Sequence, residues 1–279
     1  LVPCSWPEVA NIHPFAPAAQ VGGYLAMLAQ LESWLARITG FAACSLQPSS
    51  GASGEYAGLL AIREYQKSIN EGDRNIVIIP KSAHGTNPAS AAMMGLQIRW
   101  LEDNLSDAEK LKSLREICES ANGKLSALMI TYPSTRGVFE PTILEICDII
   151  HEFGGNVYMD GANMNAQLGL CSPGELGADV CHLNLHKTFS IPHGGGGPGM
   201  GPICVKSHLA PFLPDKGLDQ LTGASSAPYG QAGIAAIPWM FIAMLGGSGL
   251  TKSAELAILN ANYMAKRLAD HYPMPYMNK

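Results

Sequence analysis

The sequence predicts an α/β fold, a mixed, mostly parallel sheet flanked by helices. Three observations carry this reading. Continuous apolar, β-branched runs, "NIVIIP", "SALMITY" and "NVYMD", have the pattern of strands covered on both faces. Amphipathic segments of helical period, such as "PTILEICDIIHEFGG", separate them. The chain has 279 residues, 47% hydrophobic and only 15% charged, enough for one large core.

Taken in order, "YLAMLAQLESWLARITG" (24–40) has helical spacing, with Gly40 as its stop. The turn-rich "LQPSSGASGE" leads into a helix over 56–69. "NIVIIP" is a strand, and "NPASAAMMG" suits a helix with Pro88 near its start. "SDAEKLKSLREICESANG" reads as a surface helix capped by Ser106. Strand "SALMITY", the helix after "PT" and strand "NVYMD" follow, then "VCHLNLH" and "PICVK", both read as strands. A last long helix begins at Thr251. The expected division is an N-terminal segment and helix over 1–45, a ligand-binding large domain over 46–250, and the start of a C-terminal region over 251–279.

Net charge is −5, from 18 basic and 23 acidic residues, so no basic footprint for nucleic acid is present. Seven scattered cysteines, none spaced CxxC, fit reduced thiols in a reducing compartment. "AGIAAIPWMFIAML" is short for a bilayer span and contains Pro238, so it reads as a buried helix and no membrane role is expected. "LVPCSWPEVA" has no basic stretch of the kind that opens a signal peptide.

Ligands in doubly wound sheets sit beyond the carboxyl ends of strands. Asp160 closes "NVYMD", Lys187 follows "HLNLH", and His84 follows "NIVIIP". In a strand, His182 and His186 would share a face, and His193 could join them on a metal. "HLNLH" lacks the HExxH glutamate, however, so no metal is expected. "GGGGPGMG" lacks the Gly-Lys-Ser/Thr ending of a nucleotide P-loop. "PSSGASGE" (48–55) is the better anion seat, because free N–H groups open a helix there. A lysine, a carboxylate, an imidazole able to stack and a phosphate seat together fit pyridoxal 5'-phosphate. Lys187 would form the Schiff base, and Asp160 would keep the ring nitrogen protonated.

Longer strings then carry a resemblance: "SAHGTNPASA", "MITYPST", "YMDGANMNAQ", "HLNLHKTFSIPHGGGGPGMGPI", "GEYAGL" and "AILNANYMAKRL". Nearly the whole chain resembles glycine dehydrogenase (decarboxylating), the P-protein family of the glycine cleavage system. The resemblance implies the aspartate-aminotransferase-like fold, fold type I of pyridoxal-phosphate enzymes. It implies Lys187, His84 and Asp160 as catalytic residues, with His84 stacked on the ring. It implies cofactor contacts from Ser50, Gly51, Ala52, Ala162, His186 and Thr188, and from Tyr229 and Gly230 of the same or a neighbouring subunit. The implied reaction decarboxylates glycine and passes the aminomethyl group to the lipoyl arm of the H-protein. The implied assembly is a homodimer, or a heteromer with an amino-half P-protein subunit, in the mitochondrial matrix or bacterial cytoplasm. Other readings of the same site are a different pyridoxal-phosphate lyase or decarboxylase, and a remnant without activity.

The chain departs from the family pattern at Ser49 and Ser53, where asparagine and glutamine are usual, and at Arg136, where histidine or asparagine is usual. Ser190 replaces a common cysteine. The loop after Pro214 is expected to be shorter than the family's, and the remainder of the small C-terminal domain is expected to be missing.

Overall fold

The computed structural model describes residues 1–197, 199–214 and 223–276. Seven strands form one sheet in the order β1-β7-β6-β5-β4-β2-β3. They are β1 (Ala43–Ser45), β2 (Ile76–Pro80), β3 (Gln97–Leu101), β4 (Leu125–Thr131), β5 (Asn156–Gly161), β6 (Val180–Leu183) and β7 (Ile203–Val205). The pairs from β3 through β6 are parallel, whereas β6–β7 and β7–β1 are antiparallel. Two reversals restore direction, so β1 points the same way as β6. Every strand except β7 therefore ends at one edge of the sheet.

The helices are α1 (Pro7–Ala10), α2 (Gly22–Thr39), α3 (Gly51–Ser68), α4 (Thr86–Met93), α5 (Asp107–Ser120), α6 (Ile143–Glu152), α7 (Leu185–Thr188) and α8 (Ala236–Leu268). Strand alternation sorts the side chains into two cores. Ile78, Leu128, Ile130, Val157, Met159 and Cys181 face a core shared with residues of α2, α5, α6 and α8. Val77, Ile79, Ala127, Met129, Tyr158 and Val180 face a second core with Ala57, Leu59 and Ile62 of α3 and Ala91 of α4. Asp160 and His182 lie two residues beyond Tyr158 and Val180. The same alternation carries them to the α3 side.

Local signals explain the ends of the elements. Gly40 closes α2 in the left-handed conformation, φ 73°. Ser106 caps α5 in a reciprocal box with Glu109, whose carboxylate accepts from the Ser106 backbone N–H at 3.0 Å.

Five features differ from the sequence reading. The short strand β1 and the edge strand β3 were not marked by it. α3 begins at Gly51, five residues before the expected start, so the anion seat is its first turn. "VCHLNLH" is not one strand: β6 stops at Leu183, and His186 and Lys187 belong to the helical turn α7. Asn184 breaks the alternation there, so His182 and His186 share no strand face. Finally, α8 runs through 33 residues and bends at Gly246. By length and apolar composition its segment could cross a membrane, unlike the shorter stretch read from the sequence. Ala236, Ile242, Leu250 and Ala254 bury one face of it in the protein. The expected shortened loop after Pro214 falls mostly outside the described residues, as does Pro198 in the glycine-rich run.

Candidate active site

Four segments converge at the carboxyl edge of the sheet. β1 leads through Leu46–Ser49 to Ser50 and α3, β2 leads to His84, β5 ends around Asp160, and β6 leads to Lys187. Parallel pairing aligns Asp160 with Thr131 on one side and His182 on the other.

Asp160 is 2% exposed, and its polar contacts are fully drawn. Oδ1 accepts from the Ala162 N–H at 2.9 Å and lies 3.5 Å from His182 Nε2. Oδ2 accepts from Asn87 Nδ2 at 3.4 Å. A buried carboxyl with such donors around it suits an anion, and it can hold a cationic N–H in turn. His182 is equally buried. Its Nδ1 meets the Tyr158 hydroxyl, and its Nε2 lies 3.2 Å from Asn184 Oδ1. Burial, then the Asp160 charge, raises the Tyr158 pKa well above the usual phenol range. Nε2 faces two oxygens, of Asn184 and Asp160, which favours the His182 proton there and a neutral Tyr158 hydroxyl donating to Nδ1.

The seat at the start of α3 is closely packed. The Ser50 side chain accepts from the Ser53 N–H at 3.1 Å, and the Ser50 N–H donates to Ser53 Oγ at 2.9 Å. Ser53, where the family usually has glutamine, thus completes a capping box. The Gly51 and Ala52 N–H groups remain the free donors of the first turn. A Cβ on Gly51 would lie 2.5 Å from Asn184 Nδ2, so a side chain there would require the Asn184 amide to move. Gly201 presses on the Ser50 carbonyl, and its N–H donates to Pro48 at 3.0 Å. Part of the glycine-rich run is therefore packing behind the seat. Gly194, Gly195 and Gly196 are exposed, with φ of 54°, 71° and 112°.

His84 is exposed, with Nδ1 2.8 Å from Thr86 Oγ1. Lys187 is exposed on α7, and its N–H donates to the Asn184 carbonyl at 3.0 Å. Thr188 Oγ1 donates to Asn165 Oδ1 at 3.4 Å. His186 stacks on His193, centroids 4.2 Å apart, and its buried Nδ1 has no hydrogen-bond partner. Burial, then His193 and Lys187, lowers its pKa below the usual imidazole range.

Gly230 lies against the carbonyls of Leu46 and Gln47. Gln47 Oε1 accepts from the Ala224 and Ser225 N–H groups at 2.6 and 3.3 Å. Gln47 thus fastens that segment to the strand that feeds the seat. Tyr229 lines a separate cavity of about 230 Å³ with Tyr24, Leu28 and residues of the N-terminal segment. Within one chain the geometry groups Gly230, but not the ring of Tyr229, with the seat. Arg136 lies away from the Asp160 pocket, stacked over Tyr276 at 4.6 Å.

The three histidines considered as a metal set do not converge. Among the described residues one group of potential ligands does, Glu55, Asp160 and His182, with donor atoms within 4.8 Å of one another. Each is already engaged by Thr86 and Ser90, by Ala162 and Asn87, or by Tyr158 and Asn184. Glu55, Asn87, Tyr158 and Asn184 were not marked from the sequence. The glutamate of "GEYAGL" was the available signal, since a charge one turn into an apolar helix needs buried partners.

Residues 10–226 match the family described as glycine cleavage system P-protein. The chain belongs to that family. A P-protein relative, the glycine dehydrogenase (decarboxylating) of Synechocystis sp., is 60% identical over 284 residues, which cover 98% of this chain and 29% of the relative. The chain thus spans less than a third of that protein's length. The solved glycine decarboxylase (P-protein) in inhibitor-bound form superposes with a TM-score of 0.74 at 18% identity, covering 96% of this chain and 63% of that one. The Oryza sativa enzyme TDC, solved with PLP and tryptamine, gives 0.60 at 14% identity, covering 84% and 55%. These two likenesses concern the fold, which is that of the fold type I pyridoxal-phosphate enzymes.

Proposed function

We propose that this chain carries the pyridoxal-phosphate site of a P-protein and serves the decarboxylation of glycine, with transfer of the aminomethyl group to the lipoyl arm of an H-protein. The observation that carries the reading is Asp160, a buried carboxylate ringed by donors at the edge where Lys187, His84 and the α3 N-terminus meet. The residues fit the cofactor. The free N–H groups of Gly51 and Ala52 suit a phosphate. Asp160 suits a pyridinium N–H, and Lys187 offers an exposed amine.

When bound, the cofactor supplies the electron sink that lets a carbon–carboxylate bond break. Lys187 would hold its aldehyde through its amine and would be the group placed to move a proton at the substrate carbon. Asp160 would hold the protonated ring nitrogen. His84 would lie against the ring. Thr188 and His186, beside the lysine, and Gly230, beside the seat, complete the surroundings, with Ala162 fixing Asp160 through its N–H. Tyr229 is assigned to the neighbouring subunit's site in a homodimer, or in a heteromer with an amino-half subunit. A bacterial cytoplasm or mitochondrial matrix suits its free thiols.

The test is addition of pyridoxal phosphate, borohydride reduction and peptide mapping, followed by exchange of labelled bicarbonate into glycine with lipoylated H-protein present. The expected result is label on Lys187, none in Lys187→Ala, and exchange that depends on both proteins. Label on another lysine would overturn the site. Label on Lys187 without exchange, even when the chain is tested within the full length of a P-protein, would overturn the reaction.

A further inference from the structure

Glu55 is a buried acid that the proposed chemistry does not use. It lies on α3 one turn beyond the anion seat and is 3% exposed. Thr86 Oγ1 is 2.6 Å from its Oε1, and Ser90 Oγ is 3.0 Å from its Oε2. Thr86 Oγ1 also lies 2.8 Å from His84 Nδ1. Glu55, Thr86 and His84 therefore form a chain from the interior to the exposed imidazole.

The protons on this chain are countable. A threonine hydroxyl has one proton to donate. If Glu55 is ionised, Thr86 donates to it, and Nδ1 of His84 must carry a proton to donate to Thr86. If Glu55 is protonated, it donates to Thr86, Thr86 donates to a bare Nδ1, and the His84 proton sits on Nε2. Two observations separate these states. The Thr86 backbone N–H points at Nδ1 from 3.3 Å, a contact that needs a bare nitrogen. Glu55 also shares a space 4.8 Å across with Asp160, where two carboxylates disfavour double ionisation. Asp160 has the Ala162 N–H and the Asn87 amide as donors and is the better anion. His182, between them, turns Nε2 toward the oxygens of Asp160 and Asn184.

We propose that Glu55 is a neutral buried acid and a positioning residue: through Thr86 it holds His84 with Nδ1 bare and the proton on Nε2, and it leaves the negative charge of the Glu55–Asp160 pair on Asp160. This inference rests on the reading of His84 and Asp160 as cofactor contacts. Burial, opposed by the Thr86 hydrogen bond and the neighbouring His182, pushes the Glu55 carboxyl up, in the same direction. The groups facing it are Asp160 on β5, His182 on β6, and Thr86 and Ser90 on α4, with His84 one step beyond.

The test is NMR of the chain without cofactor, with the imidazole nitrogens and glutamate carboxyls isotopically labelled. At neutral pH the His84 signals are expected to show a bare Nδ1 and a protonated Nε2, and Glu55 a protonated-carboxyl signal. Glu55→Gln keeps a donor toward Thr86 and should preserve the His84 pattern. Glu55→Ala and Thr86→Val should lose it, giving averaged ring-nitrogen signals. A protonated Nδ1 in the wild type, or a Glu55 signal of an ionised carboxylate, would overturn the proposal, as would an unchanged pattern in both Glu55→Ala and Thr86→Val. The two wild-type readings need no variant to fold. Lys187 labelling tests the cofactor site separately, so either idea can fail alone.

Discussion

Gly54→Ala should destabilise the chain even though alanine favours helices. Gly54 sits in the first turns of α3, against the backbone of the glycine-rich run. An added Cβ would lie 2.7 Å from the Gly201 carbonyl oxygen and 2.9 Å from His182 Cβ. Neither neighbour is the free end of a flexible side chain. Overpacking of this kind costs about 1–3 kcal/mol, and the helix preference of alanine returns up to about 1 kcal/mol. The net expectation is a loss of about 1.5 kcal/mol, in the middle of that difference. With an m value of about 3 kcal/mol/M in urea, the unfolding midpoint should fall by about 0.5 M. Gly23→Ala is the matched control. It lies in α2 with nothing within 4 Å of the added atom, and its midpoint should hold or rise slightly. A Gly54→Ala midpoint at or above the wild type, with m unchanged, would refute the claim that α3 is pinned between the backbone at Gly201 and His182 of β6. Pyridoxal-phosphate affinity should fall with the same substitution, because the seat is the turn that must shift.

Further expectations concern charge and access. Asp160→Asn keeps the shape but removes the anion, a charge-assisted bond worth about 1.5–3 kcal/mol; cofactor affinity read by fluorescence titration should fall about 10–100-fold, and unchanged affinity would count against the pyridinium contact. Asp179 has its pKa lowered: burial alone would raise it, but the 2.7 Å contact with His151, the Val157 N–H and Lys206 outweigh that. Its stabilisation is therefore present above the unfolded-state value of about 3.9 and is lost as pH falls through the lower folded value. Asp179→Asn should flatten the acid limb of a stability–pH curve, and equal slopes would contradict this. Burial pushes Cys118 and Cys147 up to about 12, so neither should alkylate at pH 8 until urea unfolds the chain; labelling of both in the native state would overturn the burial argument.

The central strands were legible because each is apolar on both sides, so β2, β4 and β5 stand out in any window. β3 was not, because its residues Gln97, Arg99 and Trp100 are exposed at an edge and leave no continuous apolar run. β1 is only three residues long and acquires its identity from pairing with β7. "HLNLH" alternates as a strand does, and nothing local announces that Asn184 turns the chain before His186. Asp160, at the end of its strand, and His84 and Lys187, just past theirs, were legible as polar groups at the carboxyl edge. The Glu55–Thr86–His84 chain was not, since 31 residues separate Glu55 from Thr86 and only sheet order brings α3 and α4 together. The histidine reading failed for a related reason: His182 faces inward beside Tyr158, whereas His186 stacks on His193.

Gly246 has φ 62° and ψ −176°, a backbone conformation that a side chain would oppose. On one side of it α8 is seated in the protein through Ala236 and Ile242. On the other, after Leu250 and Ala254, it shows Leu256, Leu259, Tyr263 and Met264 to solvent. The bend therefore works as an elbow. A few degrees of torsion at this single residue become ångströms of travel at Leu268, so the bearing of the outer helix, and of anything it carries, is set far from its tip.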